Sequence, residues 1–321
     1  MLDHILDNLK SAELITADEQ TRLKNAELNK PFSVHWELKT LLYLGVVLLN
    51  IGLGYLIYQH IDTIGHAVII GLISLVCLAC FGYAAKNTTP FSLNALKSPT
   101  IYFDYAVLLG CLTFLIIEGY LQYQYTFFGT RYGLAAFIPT LLFFPVAYYF
   151  DHRGALSLGI VALAAWLGIS IAPLDMLNQN DFSNHSLVYT GILLGIVLCL
   201  IGYLSELKDI KKHFAFTYFN FGSHLFFITV LTGLFNFNQQ LLFSLLMILG
   251  SAFFIFYARQ TRSFYFLLLA IVYAYIGLTY LIIKALSRTN ADPSVYFLYF
   301  IISCGLIIYF IFNYKKILNN Q

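Results

Sequence analysis

Six polar side chains stand inside or at the edges of long apolar runs: Asn50, Asp104, Glu118, Arg131, Asn220 and His224. Ionisable groups at membrane depth are costly, so each needs a partner or a task. His224 lies near the middle of its run, with Asn220 one helical turn before it. Histidine titrates near neutral pH, so His224 reads either as a neutral imidazole bonded to a neighbouring helix or as a proton-relay or ligand group. Glu118 ends one run and Arg131 begins the next. They read as an interfacial ion pair, or as a gate or anion-headgroup contact at the outer mouth. Asp104 lies close enough to an interface to be solvated. Together, Asn50, Asp104, Asn220 and His224 would form a polar line suited to a small or amphiphilic solute.

No catalytic, cofactor or metal site is assigned. The chain lacks a nucleotide loop, a zinc-protease helix motif, a nucleophile elbow and a paired-carboxylate motif. His60, Asp62 and His66 cluster at one end of the first hairpin, a pattern too sparse for metal ligation. The five cysteines (Cys77, Cys80, Cys111, Cys199 and Cys304) all fall within apolar runs, and the odd count argues against a disulfide framework. No basic groove interleaved with aromatic residues suggests nucleic acid.

The elements that must position these groups follow from composition. Apolar residues make up 60% of the chain and charged residues 11%, with a mean hydropathy of +0.76. A soluble domain is about half apolar and about a quarter charged. The apolar runs are long enough to cross roughly 30 Å of hydrocarbon as helices. They are too long and too evenly apolar for barrel strands. Backbone polar groups in lipid must pair internally, so the spans are helices. The fold class is therefore an all-α polytopic membrane protein, whose one fixed partner is the lipid bilayer. Ten spans are expected, at about 39–58, 65–84, 101–121, 132–150, 154–172, 186–204, 213–234, 241–257, 263–283 and 295–313.

Positive charge tests the threading. Lys10, Arg22, Lys24, Lys30, Lys39, Lys86, Lys97, Arg153, Lys208, Lys211, Lys212, Arg259, Arg262, Lys315 and Lys316 fall on one side, and Arg131, Lys284 and Arg288 on the other. The positive-inside rule then puts both termini in the cytoplasm. The domain plan is a cytoplasmic helical headpiece (1–38), a first transmembrane hairpin (39–85), two four-helix units (101–204 and 213–314) and a cytoplasmic tail (315–321). In the headpiece Thr16-Ala17-Asp18-Glu19 reads as a capping box. Its helix should stop before Pro31. Leu2, Ile5, Leu6 and Leu9 recur at helical spacing before it. No cleavable signal peptide is expected, since the first thirty-five residues are polar and helical. The headpiece could also bind a cytoplasmic protein partner. The outer loop 173–186 is acidic-polar and reads as a solvated connector.

The two units look repeated. The hairpin around Asp151-His152-Arg153-Gly154, followed by Ala165-Trp166-Leu167-Gly168-Ile169-Ser170, returns around Arg259-Gln260-Thr261-Arg262 with Ala274-Tyr275-Ile276-Gly277-Leu278-Thr279. Aligning Arg153 with Arg262 matches both six-residue stretches. Four spans per unit make the repeat parallel, a 2+4+4 plan, unlike the inverted repeats of many transporters. Glycines such as Gly45, Gly52, Gly71, Gly191 and Gly195 should let helices approach closely. Pro139 and Pro145 should bend the fourth span and free carbonyls there.

Glu13 through Gln20, then Trp36 through Tyr58 with Leu44-Gly45-Val46-Val47-Leu48-Leu49 and Gly52, then the polar link His60 through Gly65 and a second span, resemble a known family. It is the domain of unknown function 2157 family of predicted bacterial membrane proteins, and the resemblance covers roughly residues 10–172. It rests on glycine and aromatic placement, and Tyr58-Gln59-His60 stands where the family has an Asn-Trp pair. The resemblance implies a bacterial inner-membrane protein without an assigned activity, and it transfers no catalytic residue. The leading functional expectation is a transporter or permease-like carrier. The alternative is a non-catalytic scaffold or sensor whose headpiece binds a cytoplasmic partner.

Overall fold

The structure, a computed structural model, describes residues 16, 18–22, 35–100, 102–129, 131–171, 184–289 and 292–319. The expectations for Leu2 to Leu9, for the end of the headpiece helix before Pro31, and for most of the 173–186 loop lie outside these residues. Ten long helices follow in order: α1 His35–Ile64, α2 His66–Asn87, α3 Phe103–Tyr125, α4 Tyr132–Phe150, α5 Arg153–Ile171, α6 His185–Leu207, α7 Ala215–Asn236, α8 Gln240–Thr261, α9 Phe264–Arg288 and α10 Pro293–Asn319. A 3₁₀ turn, Lys212–Phe214, leads into α7. All ten are long and apolar enough to cross a membrane. Among the described residues there is no strand.

The chain divides into two compact units, Met1–Leu56 and Ile57–Gln321. In the first, the capping box is formed. The Thr16 N–H and hydroxyl both donate to Glu19 Oε2, at 2.8 and 2.9 Å, and Glu19 N–H donates back to Thr16 Oγ1 at 3.3 Å. Residues 18–22 are helical behind it. The hydrogen bonds from Thr16, the backbone one foremost, hold the Glu19 carboxyl below its ordinary range.

In the second unit, consecutive helices pack as antiparallel hairpins, most intimately α6 with α7, then α4 with α5, α2 with α3 and α8 with α9. In lipid, helices gain nothing by hiding apolar surface, so close packing and interhelical hydrogen bonds hold them. The α6–α7 seam meets the first demand. A Cβ on Gly195 would lie 2.8 Å from the Phe226 backbone nitrogen and 2.9 Å from the Gly222 carbonyl. A Cβ on Gly222 would lie 2.9 Å from the Gly195 carbonyl. Gly191, four residues before Gly195, sits against Thr229. The backbones touch here, and only glycine permits it. Gly45, Gly52 and Gly71 are different: nothing lies within 4 Å of the Cβ they lack.

Two large apolar cores result, beside a small cluster of Ile69 and Ile73 against Ile116 and Ile117. One joins α2 to α7 around Phe103, Phe143, Leu156 and Phe214. The other joins α6 to α10 around Phe219, Phe227, Phe243 and Leu267. α4 runs unbroken through Pro139 and Pro145. Each proline lacks an N–H, so the carbonyls of Ala135 and Leu141 lose their helical donors.

The two central hairpins turn alike. Asp151 and Arg262 both adopt left-handed backbone, φ 56° and 51°. Their N–H groups return to Ala147 and Ala258. The next N–H groups, of His152 and Ser263, bond the same two carbonyls at 2.9 and 3.0 Å. This closure ties off the carbonyls left free at a helix end. It pairs Asp151 with Arg262, a register two residues away from the one that pairs Arg153 with Arg262.

Candidate functional site

Asn220 and His224 lie one turn apart on α7, and α9 supplies partners for both. Tyr265, in the first turn of α9, donates its hydroxyl to Asn220 Oδ1. That hydroxyl also meets His224 Nε2 at 2.9 Å, while His224 Nδ1 meets the Tyr273 hydroxyl at 2.8 Å. The direction of the first bond fixes the others. Tyr265 spends its proton on Asn220, so it accepts from His224 Nε2–H. A neutral imidazole carries one proton, so Nδ1 accepts from Tyr273. The result is a directed chain: Tyr273 to His224, His224 to Tyr265, Tyr265 to Asn220. Every polar atom that His224 offers is satisfied with the ring neutral. The Tyr273 ring stacks on Phe227, with centroids 5.0 Å apart and planes 9° apart, which holds its hydroxyl in place.

The other singled-out residues have settings of their own. Asn50 donates to the Val46 carbonyl at 2.8 Å within α1. Asp104 accepts from the Ser98 hydroxyl at 2.7 Å, at the loop that opens α3. Glu118 is 7% exposed, on the inward face of α3, and its Oε1 is enclosed without a partner. Arg131 is exposed at the start of α4 and makes no ion pair with Glu118. The expected pair fails on geometry. Glu118 lies seven residues before the end of α3, about 10 Å of helix rise, and faces the core rather than the loop. Glu118 and Arg131 are therefore not brought together.

Two apolar cavities do open beside the α6–α7 seam. One, of about 360 Å³, lies among α5, α6 and α7 and is lined by residues including Ala165, Gly168, Gly191, Leu225 and Thr229. The other, of about 430 Å³, lies among α6, α7 and α8 around Leu200, Phe226, Leu249 and Phe253. The hydroxyl of Thr229 is turned back onto the Leu225 and Phe226 carbonyls, at 2.7 and 3.0 Å.

A charged cluster at one end of the bundle was not among the residues singled out. Asp151 Oδ1 receives Lys211 Nζ and His213 Nε2, each at 2.7 Å, and its Oδ2 receives the Leu96 N–H at 2.7 Å. The Lys211 side chain is 0% exposed and that of Asp151 5% exposed. The Lys211 N–H donates to the Leu93 carbonyl at 2.8 Å, and its ammonium stands 5.3 Å from the centre of the Phe91 ring. Three separate loops, 88–102, 151–152 and 208–214, are thus clasped by one carboxylate. The one sequence signal is an acid at a hairpin turn whose neighbouring loops are basic. At the opposite end, the Tyr189 hydroxyl donates to Gln239 Oε1 at 2.6 Å and His185 stacks on Phe237 at 3.7 Å.

Residues 7–156 match a family model described as "Predicted membrane protein (DUF2157)". No curated protein and no solved structure matches the chain.

Proposed function

We propose that this chain, whose residues 7–156 match the predicted membrane protein family DUF2157, is a non-catalytic membrane scaffold or sensor. Its spans hold a rigid frame, and its headpiece, residues 1–38, engages a cytoplasmic protein partner. One observation carries this reading: the two polar groups in the middle of α7, Asn220 and His224, are spent on the hydroxyls of α9. Asn220, Tyr265, His224 and Tyr273 close an interhelical chain, whereas a carrier needs such groups free to face its solute. The membrane is inferred to be a bacterial inner membrane, with both termini cytoplasmic. Support comes from the sorting of basic residues and from the clasp, which gathers the basic loops at one end.

A carrier of an amphiphilic solute is the second reading, favoured by the two lateral apolar cavities. Flux from proteoliposomes decides between the two. The scaffold reading expects no flux of amphiphilic dyes or organic ions above that of protein-free vesicles. Flux in the wild type that His224→Ala abolishes would sink it.

A further inference from the structure

We propose that Glu118 is a proton-binding site within the membrane, which takes up a proton from the side where α3 ends and holds it as a neutral carboxylic acid. This goes beyond the scaffold reading and does not rest on it. The observation is an enclosed acid without a counter-charge. Val107, Cys111 and Glu118 share the buried face of α3, and Glu118 Oε1 has no partner. A carboxylate in that position lacks the cation or donors that would offset its desolvation, whereas the protonated acid needs only an acceptor.

By helix register, the neighbouring helix carries one at the same level. Phe114 of α3 meets Phe143 of α4 edge to face, with centroids 6.0 Å apart. The two helices are antiparallel neighbours, so one turn onward in α3 and one turn back in α4 bring Glu118 and Pro139 to one level. Both are buried. Pro139 leaves the Ala135 carbonyl without its helical N–H, an acceptor in want of a donor. The protonated acid can fill that want and the carboxylate cannot. Glu118 keeps 7% of its surface exposed, which leaves an entry for the proton.

Among the described residues, no cation on the elements packed against α3 answers Glu118. On α2, His66 is bonded to Tyr120, and Cys77 lies two turns away, donating to the Gly110 carbonyl. Lys86 is in the last turn of α2, at the far end of the hairpin. On α4, Arg131 is exposed at its start, and Tyr132, Tyr148 and Tyr149 make no bond to Glu118. On α5 the one charged residue, Arg153, begins the helix at the far end. On α3 itself Asp104 is bonded to Ser98 in the first turn.

The test uses the full chain in phosphatidylcholine–phosphatidylglycerol vesicles and dicyclohexylcarbodiimide, an apolar reagent that attacks protonated carboxyls. Peptide mass spectrometry reads the adduct from mildly acidic to mildly alkaline pH. The expected result is an adduct on Glu118 that falls about tenfold per pH unit above its midpoint. Glu118→Gln should remove it, Glu118→Asp should keep it, and Arg131→Ala should leave the midpoint in place. If the glutamine variant fails to fold, the wild-type pH profile decides alone. The proposal is overturned by an absent adduct, by labelling that ignores pH, by a midpoint that moves when Arg131 is removed, or by protection from sodium or potassium at fixed pH. The last outcome would make Glu118 a cation site instead.

Discussion

Asp151 does at a loop what Asn220 and His224 do in mid-membrane: it converts separate chain segments into one assembly through hydrogen bonds. Its removal should cost more than theirs. Asp151→Asn leaves the Lys211 ammonium fully buried and unneutralised, and breaking a buried pair from one side costs about 3–5 kcal/mol. Thermal unfolding in detergent should show that loss. The double variant Asp151→Leu with Lys211→Met should recover most of it, because no charge then remains to be buried. A double variant as unstable as Asp151→Asn would show that the clasp acts through the Leu96 N–H instead. Within the membrane the expected effects are smaller. Tyr273→Phe strands His224 Nδ1 and should cost about 0.5–1.5 kcal/mol, in the range of single interhelical bonds in lipid. At this scale the sequence was readable in part. Asn220 and His224 are four residues apart, so a shared helix face followed at once. Their partners are 41 to 49 residues away among 24 tyrosines, and nothing local distinguishes Tyr265 and Tyr273. Lys211 was read as one more interfacial cation, because burial of a loop lysine is decided by how three distant loops meet.

At the scale of elements, the α6–α7 seam is the decisive contact, and its glycines are not interchangeable with the rest. Gly195→Ala drives a methyl group against backbone atoms of α7 at 2.8 and 2.9 Å, so the helices must separate. Overpacking of this kind costs about 1–3 kcal/mol. Gly71→Ala meets nothing and removes a helix-interior glycine, so it should be neutral or stabilising by up to about 1 kcal/mol. Unfolding midpoints measured side by side check the contrast; equal losses would mean that the seam is not close-packed. Glycine periodicity alone could not separate these cases, since it says that a helix permits close approach but not whether a neighbour takes the offer. The capping box was readable outright, because its partners are three residues apart. Its pH dependence follows from its bonds. Thr16 holds the Glu19 carboxyl below its ordinary range, so the stabilisation is present above the unfolded-state value and is lost as pH falls through the folded one. Amide protection in residues 18–22, corrected for intrinsic exchange, should drop over that acidic window, and Thr16→Ala should flatten the dependence.

For the whole molecule the number of spans carries the most weight, and it was open to sequence reasoning because apolar length is additive along the chain. The clasp supplies a check that no composition could. Loops 88–102, 151–152 and 208–214 meet at Asp151, so an even number of helices separates each from the next, α3 with α4 and α5 with α6. Five helices, α3 to α7, separate the loop at Lys97 from the loop at Asn238, and five crossings place them on opposite faces. Both residues are exposed, and the native cysteines all lie within spans, which keeps the background low for a water-soluble maleimide. Lys97→Cys and Asn238→Cys, introduced singly, should therefore label from opposite sides of intact cells. Positive-inside sorting predicts that Asn238→Cys reacts from outside and that Lys97→Cys reacts only after permeabilisation. The reverse pattern would invert the orientation and leave the helix count standing. Labelling of both from one side would break the parity, and with it the claim that every helix from α3 to α7 crosses the bilayer.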